Sequence, residues 1–134
     1  MRIIAIDYGD VRTGIAVSDL TGSIAGEAFV VEERNAKRLA ERIAAEAGER
    51  GAETLVLGYP KNMDGTLGPR AEKSEALAAL LRERGFAVVL WDERRTTVAA
   101  HEILSANNRH GKKRKQTVDA VAATLILEGY LASL

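Results

Sequence analysis

The chain has 134 residues, 46% hydrophobic and 28% charged, with nineteen basic residues balanced by nineteen acidic ones. That length suffices for one α/β domain with a buried core and not for two, so residues 1–134 are expected to form a single domain. No cysteine is present, which excludes disulfides and thiolate metal sites. No apolar run approaches the roughly eighteen residues of a membrane helix, and the short stretch Met1 to Ile6, ended by Asp7, does not make a signal peptide. A cytoplasmic protein with no membrane partner is the expectation.

Residues 2–8 read as a buried strand, short and β-branched, stopped by Gly9-Asp10. Residues 13–18 read as a second strand, close enough to form a hairpin with the first, and Ala28 to Val31 as a third after the Thr21-Gly22-Ser23 turn. Asn35 can cap a helix whose apolar positions 36, 39, 40, 43, 44 and 47 follow the 3.6-residue period, with Gly48 and Gly51 bracketing its end. Thr54 to Leu57 is continuously apolar, as suits the centre of a sheet covered on both faces. A polar loop runs from Gly58 to Pro69, and a second helix over 70–84 stops near Gly85. Phe86 to Trp91 forms another buried strand, Thr96 or Thr97 caps a short helix through about Ala106, and Thr117 to Leu131 forms the last helix. The order β-β-β-α-β-α-β-α-α predicts an α/β fold: a mixed five-stranded sheet with helices on both sides.

Neutral net charge says nothing of a polyanionic partner, but the distribution does. Arg109-His110-Gly111-Lys112-Lys113-Arg114-Lys115 holds five permanent cations in seven residues with no acid among them. Such a stripe can bind phosphates through counterion release. A solvated loop kept charged for solubility would read the same way.

The acids sit where local rules do not want them. Asp7 ends an apolar strand at its carboxyl end, the edge where open α/β sheets place their sites. Asp92 and Glu93 end another buried strand. Asp119 falls in the first turn of the last helix as read, sharing a face with Ala122, Ala123 and Ile126. Each has a plainer explanation: Asp7 as a turn former, Asp119 as an acid favoured at a helix N-terminus, Asp92 or Glu93 as partners of Arg94 and Arg95. Carboxylates brought together repel unless a cation intervenes, so folding alone gives little reason to gather three of them. With no zinc-type ligand spacing nearby, they suit a hard cation, Mg2+ or Mn2+. Two such ions could activate water and stabilise the leaving oxygen of a phosphodiester. Strand alternation sends Asp92 and Glu93 to opposite faces, and the longer Glu93 is the better candidate for the inward side. In the loop Gly58 to Thr66, the glycines, Asn62 and Thr66 suit hydrogen bonds to a phosphate or sugar, although loop flexibility would also account for the glycines. His101 and His110 lack any paired ligand spacing.

At these residues the sequence resembles a known family. Asp7-Tyr8-Gly9-Asp10-Val11-Arg12-Thr13-Gly14-Ile15-Ala16-Val17-Ser18-Asp19 is similar to the first motif of the YqgF family, pre-16S rRNA nucleases also described as Holliday-junction-resolvase-like. Gly58 to Gly65 looks like that family's central glycine-rich loop. Asp92-Glu93-Arg94-Arg95-Thr96-Thr97 resembles its next motif, and Lys112-Lys113-Arg114-Lys115 followed by Val118 to Ala123 its last. The resemblance spans nearly the whole chain. It implies a ribonuclease-H-like fold, with Asp7, Glu93 and Asp119 as catalytic acids and metal ligands. It places Arg12, Asn62, Arg94, Thr97, Lys112, Lys113, Arg114 and Lys115 against the substrate. The implied activity is divalent-metal-dependent cleavage of nucleic acid, with the 5′ end of the 16S rRNA precursor ahead of branched DNA. Bacterial resolvases of this fold carry their second acid on the preceding strand, where this chain has Gly58; that departure leaves Asp92 as a weaker substitute for Glu93.

Three rivals remain at this level. A Holliday-junction resolvase would need two coordinated cuts and hence a homodimer. An actin-like or hexokinase-like phosphotransferase also opens on Asp-x-Gly, but closes two such domains around a nucleotide where this chain supplies one. A non-catalytic RNA-binding module would have lost acids that are all present here, and six aromatic residues make a poor stacking platform.

Overall fold

A computed structural model of the chain describes residues 1–59, 68–92 and 111–134, the last group as backbone alone over 111–117. The strands are β1 (Ile3–Asp7), β2 (Arg12–Ser18), β3 (Ala25–Glu32), β4 (Thr54–Tyr59) and β5 (Ala87–Asp92). They form one sheet in the order β3-β2-β1-β4-β5. The first three make an antiparallel meander, while β4 joins β1 and β5 joins β4 in parallel. The expected mixed five-stranded sheet is therefore present.

Alternation along the strands builds two cores. Ile4, Ile6, Ile15, Val17, Leu55 and Leu57 face the helices α1 (Ala36–Arg50) and α2 (Pro69–Glu83), meeting Leu39, Ile43, Leu77 and Leu81. Ala5, Ala16 and Val56 point to the other side, onto Ala123, Ile126 and Leu127 of α3 (Gly111–Ala132). Small residues on that second face let α3 lie close to the sheet. The caps of α1 are those the sequence advertises: the Asn35 side chain accepts from the Arg38 N–H, and Gly51 ends the helix at φ 66°.

Most boundaries shift by one or two residues, β4 running on through Gly58 and Tyr59 where the loop is expected, and two shift further. β3 begins at Ala25 rather than Ala28, because Ala25 pairs with Ser18 of β2 across an irregularity in the ladder, although Ala25 and Gly26 look like turn residues in isolation. The last helix begins at Gly111, not Thr117, so Lys112, Lys113, Arg114 and Lys115 are helical and not part of a loop. Lys, Arg and Gln are good helix formers, and the tract's charge does not alter that propensity. The short helix expected over 96–106 lies outside the described residues.

Candidate active site at the carboxyl ends of the strands

Asp7 is the last residue of β1 and lies on the α3 face by alternation from Ile3 and Ala5. Its cross-strand partner on β2 is Gly14. A side chain at Gly14 could not exist there: a Cβ would stand 2.0 Å from the Asp119 carbonyl oxygen and 2.5 Å from its carbon. Helix α3 thus presses its backbone onto the strand at the residue beside Asp7, and the residue doing so is Asp119. Burial of Ile126 and Leu127 contributes about 1.5–3 kcal/mol each, enough to seat the helix even where that costs Asp119 part of its hydration.

The cost is visible in Asp119. Burial pushes its carboxyl above the usual range, opposed by the charges of Arg12 and Arg70. Arg12, the first residue of β2, brings its Nε to 3.6 Å from Asp119 Oδ2, and both side chains are about one-quarter exposed (27% and 24%). That Nε is buried and has no hydrogen-bond partner among the described residues. The register of α3 also removes the plainest explanation of this acid. Asp119 stands more than two turns inside the helix, whereas dipole stabilisation fades after the first turn.

Two cations that the sequence reading passed over complete the rim. The Arg70 guanidinium donates to the Tyr8 carbonyl at 3.2 Å, and Lys73 Nζ to Asp10 Oδ1 at 3.1 Å. The Lys73 hydrogen bond, with the charges of Lys73 and Arg70, holds the Asp10 carboxyl below its ordinary value. Both come from the first turn and a half of α2 and, with Tyr8, Gly9 and Asp10, line a small open cleft beside the strand ends. Their signal was legible: cations at a helix N-terminus oppose the dipole, so a local rule is broken there.

Arg12 and Asp119 therefore meet beside Gly14, the strand residue that pairs with Asp7. Asp92 is exposed and, by alternation from Val89 and Trp91, which face α3, lies on the opposite face from Asp7. Glu93, Asn62, Arg94 and Thr97 lie outside the described residues, and the basic quartet occupies the first turns of α3. Among the described residues no three carboxylate or histidine side chains cluster as a metal cage. Asp7 and Asp119 supply two hard oxygen donors, one of them incompletely hydrated, and that donor set fits Mg2+ or Mn2+.

A family model described as RuvX, Holliday junction resolvase, matches residues 1–133. A relative from Geobacillus thermodenitrificans, named "Putative pre-16S rRNA nuclease", is 46% identical over 99% of both chains. One of the same name from Ruminiclostridium cellulolyticum is 41% identical over 98% of this chain and 94% of its own. Two solved structures share the fold at low identity. Thermus thermophilus RuvC in complex with a Holliday junction substrate superposes with a TM-score of 0.61 at 14% identity, covering 99% of this chain and 97% of that one. The fowlpox virus resolvase with Holliday junction DNA gives 0.62 at 11%, covering 99% and 98%. The ribonuclease-H-like α/β architecture is thereby established. No helix among the described residues is long and apolar enough to cross a membrane.

Proposed function

The chain belongs to the RuvX family, and from that premise we propose that it is a divalent-metal-dependent nuclease whose site is the Asp7–Asp119 face of the sheet. The observation that supports this reading is the close contact between the Asp119 backbone and Gly14, the residue paired with Asp7, together with the burial that raises the Asp119 carboxyl. Asp7 and Asp119 would hold the ion. Glu93 would be their companion in preference to Asp92, which lies on the opposite face from Asp7. A bound divalent ion would supply a polarised water and stabilise the departing oxygen.

The rest falls to the chain's own cations. Arg12, Arg70 and Lys73 surround the strand ends and can receive the phosphates on either side of the cut. Positions 112 and 115 precede Asp119 by seven and four residues, the spacing of one helical face. The basic quartet, in the first turns of the same helix, would supply further phosphate contacts. Asn62, Arg94 and Thr97 are assigned to the same strand of substrate.

The substrate we favour is RNA, the 5′ end of the 16S rRNA precursor, in the cytoplasm, because relatives matching the full chain carry the pre-16S rRNA nuclease name. The second reading is branched DNA cut by a homodimer, supported by the family description. Labelled precursor RNA, single-stranded DNA and four-way junctions, incubated with Mg2+, Mn2+ or chelator, separate them. Cleavage of the RNA end with metal, and none in chelator, is expected. Full cleavage by metal-free protein would sink the mechanism, and preference for junctions would transfer the substrate to DNA.

These phosphate contacts have their own test. Neutralising Lys112, Lys113, Arg114 and Lys115 should weaken binding and reduce the log–log salt slope by about 0.7–0.9 for each lost phosphate contact. An unchanged slope would make the quartet a solubilising face.

A further inference from the structure

Arg12 is placed oddly for an ordinary salt bridge. Arginine and carboxylate normally close short, often paired hydrogen bonds. Here the Nε stops at 3.6 Å from Asp119 Oδ2, and that buried nitrogen finds no hydrogen-bond acceptor among the described residues. Nor is the pair needed to hold α3 against β2, because the Gly14 contact and the buried Ala123, Ile126 and Leu127 already do so. What the guanidinium does supply is positive charge beside a half-buried carboxylate. It reaches that carboxylate from the same strand, two residues from Gly14 and on the same face.

We propose that Arg12 is a resident counter-ion, which neutralises Asp119 while the metal site is empty and competes with the metal for that carboxylate. The proposal rests on the metal site inferred above. Asp7 and Asp119 would hold a divalent ion only once the Arg12 guanidinium has left Asp119. The displaced guanidinium is then the nearest cation for the phosphate beside the cut. Substrate phosphate and metal therefore cooperate: the phosphate gives Arg12 a new partner, and the metal takes the old one. Metal alone should bind weakly, so that the loaded site assembles chiefly when nucleic acid is present.

Calorimetric titration with Mn2+ tests this on the full-length protein without any cleavage readout. Against the parent, Arg12→Gln should bind Mn2+ about tenfold more tightly, the scale of removing one charge roughly 6 Å from a divalent ion in a well-hydrated setting. Arg12→Lys, which keeps the charge, should stay near the parent. The gain should vanish in Arg12→Gln combined with Asp119→Asn, since the competition is for that carboxylate. Should Arg12→Gln not fold, Arg12→Met retains the packing of the stem and takes its place. Affinity unchanged or lowered by removing the charge, while Asp119→Asn alone still loses Mn2+, would overturn the counter-ion role and leave the nuclease reading intact. Undiminished Mn2+ binding by Asp119→Asn would overturn the metal site itself, and the counter-ion with it.

Discussion

At the far end of β2 from Asp7, Asp19 accepts hydrogen bonds from the Thr21 hydroxyl at 2.6 Å and from the Ser23 and Ile24 N–H groups at 2.8 and 3.2 Å. At the near end Asp119 has a guanidinium that stops short of a hydrogen bond, and a backbone jammed against Gly14. The Thr21, Ser23 and Ile24 donors hold the Asp19 carboxyl down at about 2, while burial pushes that of Asp119 up. Both acids belong to motif stretches of the sequence, yet their surroundings assign them opposite work. Asp19 is provided with every donor it needs to stay charged and shapes the turn into β3. Asp119 has no such donors among the described residues, and a carboxylate kept short of donors suits a cation that arrives later.

The sharpest way to break this comparison is at Gly14. Alanine there would place a methyl carbon 2.0 Å from the Asp119 carbonyl, and because that obstacle is backbone, the helix itself must move. We expect Gly14→Ala to cost about 1–3 kcal/mol, the range of overpacked cores, and to abolish cleavage by parting Asp119 from Asp7. Thermal melts beside the cleavage assay check both. Full activity in a stable Gly14→Ala protein would show that the close approach does not build the site.

A smaller effect is expected at the other end. The Asp19 carboxyl titrates lower in the folded protein than its ordinary 3.8. Its contribution is therefore complete above the unfolded value and lost as pH falls through that value toward about 2. Asp19→Asn should destabilise near neutrality, lose that deficit in acid, and cleave at the parental rate once folded. Melts between pH 2 and 7 test the sign, and a lost cleavage rate would move Asp19 from scaffold to site.

How much of this was legible follows the physics of each element. β1, β4 and the Asn35-capped α1 were readable because buried strands and amphipathic helices write their period into consecutive residues. Asp7 was readable for the same reason, as a charge that breaks an apolar run. The start of α3 was not, since nothing in Gly111-Lys112-Lys113-Arg114-Lys115 distinguishes an exposed helix from a charged loop. That one boundary moved Asp119 from a first turn, where the dipole would explain it, to a helix interior, where it does not. The role of Gly14 is a long-range contact between residues 105 positions apart (119 − 14), which no local window contains. Arg70 and Lys73 join the rim only because α2 begins beside Tyr8 and Asp10.

The smallest expected effect separates the two aspartates most cleanly. Asp119→Asn keeps the size and hydrogen-bonding capacity of the side chain but removes the charge that burial penalises. The folded-state value is raised, so folding favours the protonated carboxyl, and the parent loses stability as pH rises from the ordinary carboxylate range through that raised value. Asparagine has no such loss. The two proteins should therefore melt alike in acid and diverge toward neutrality, with metal-free Asp119→Asn the more stable by about 0.5–1 kcal/mol, a common gain when a functional group is removed from its site. The net sign depends on burial outweighing Arg12, because the substitution also deprives that guanidinium of its charge partner. Adding Mn2+ should raise the melting temperature of the parent more than that of the variant, since a ligand stabilises only the state that holds its ligands. Cleavage should be lost. An Asp119→Asn protein that is less stable at neutral pH, equally stabilised by Mn2+ and still active would make Asp119 a structural acid like Asp19.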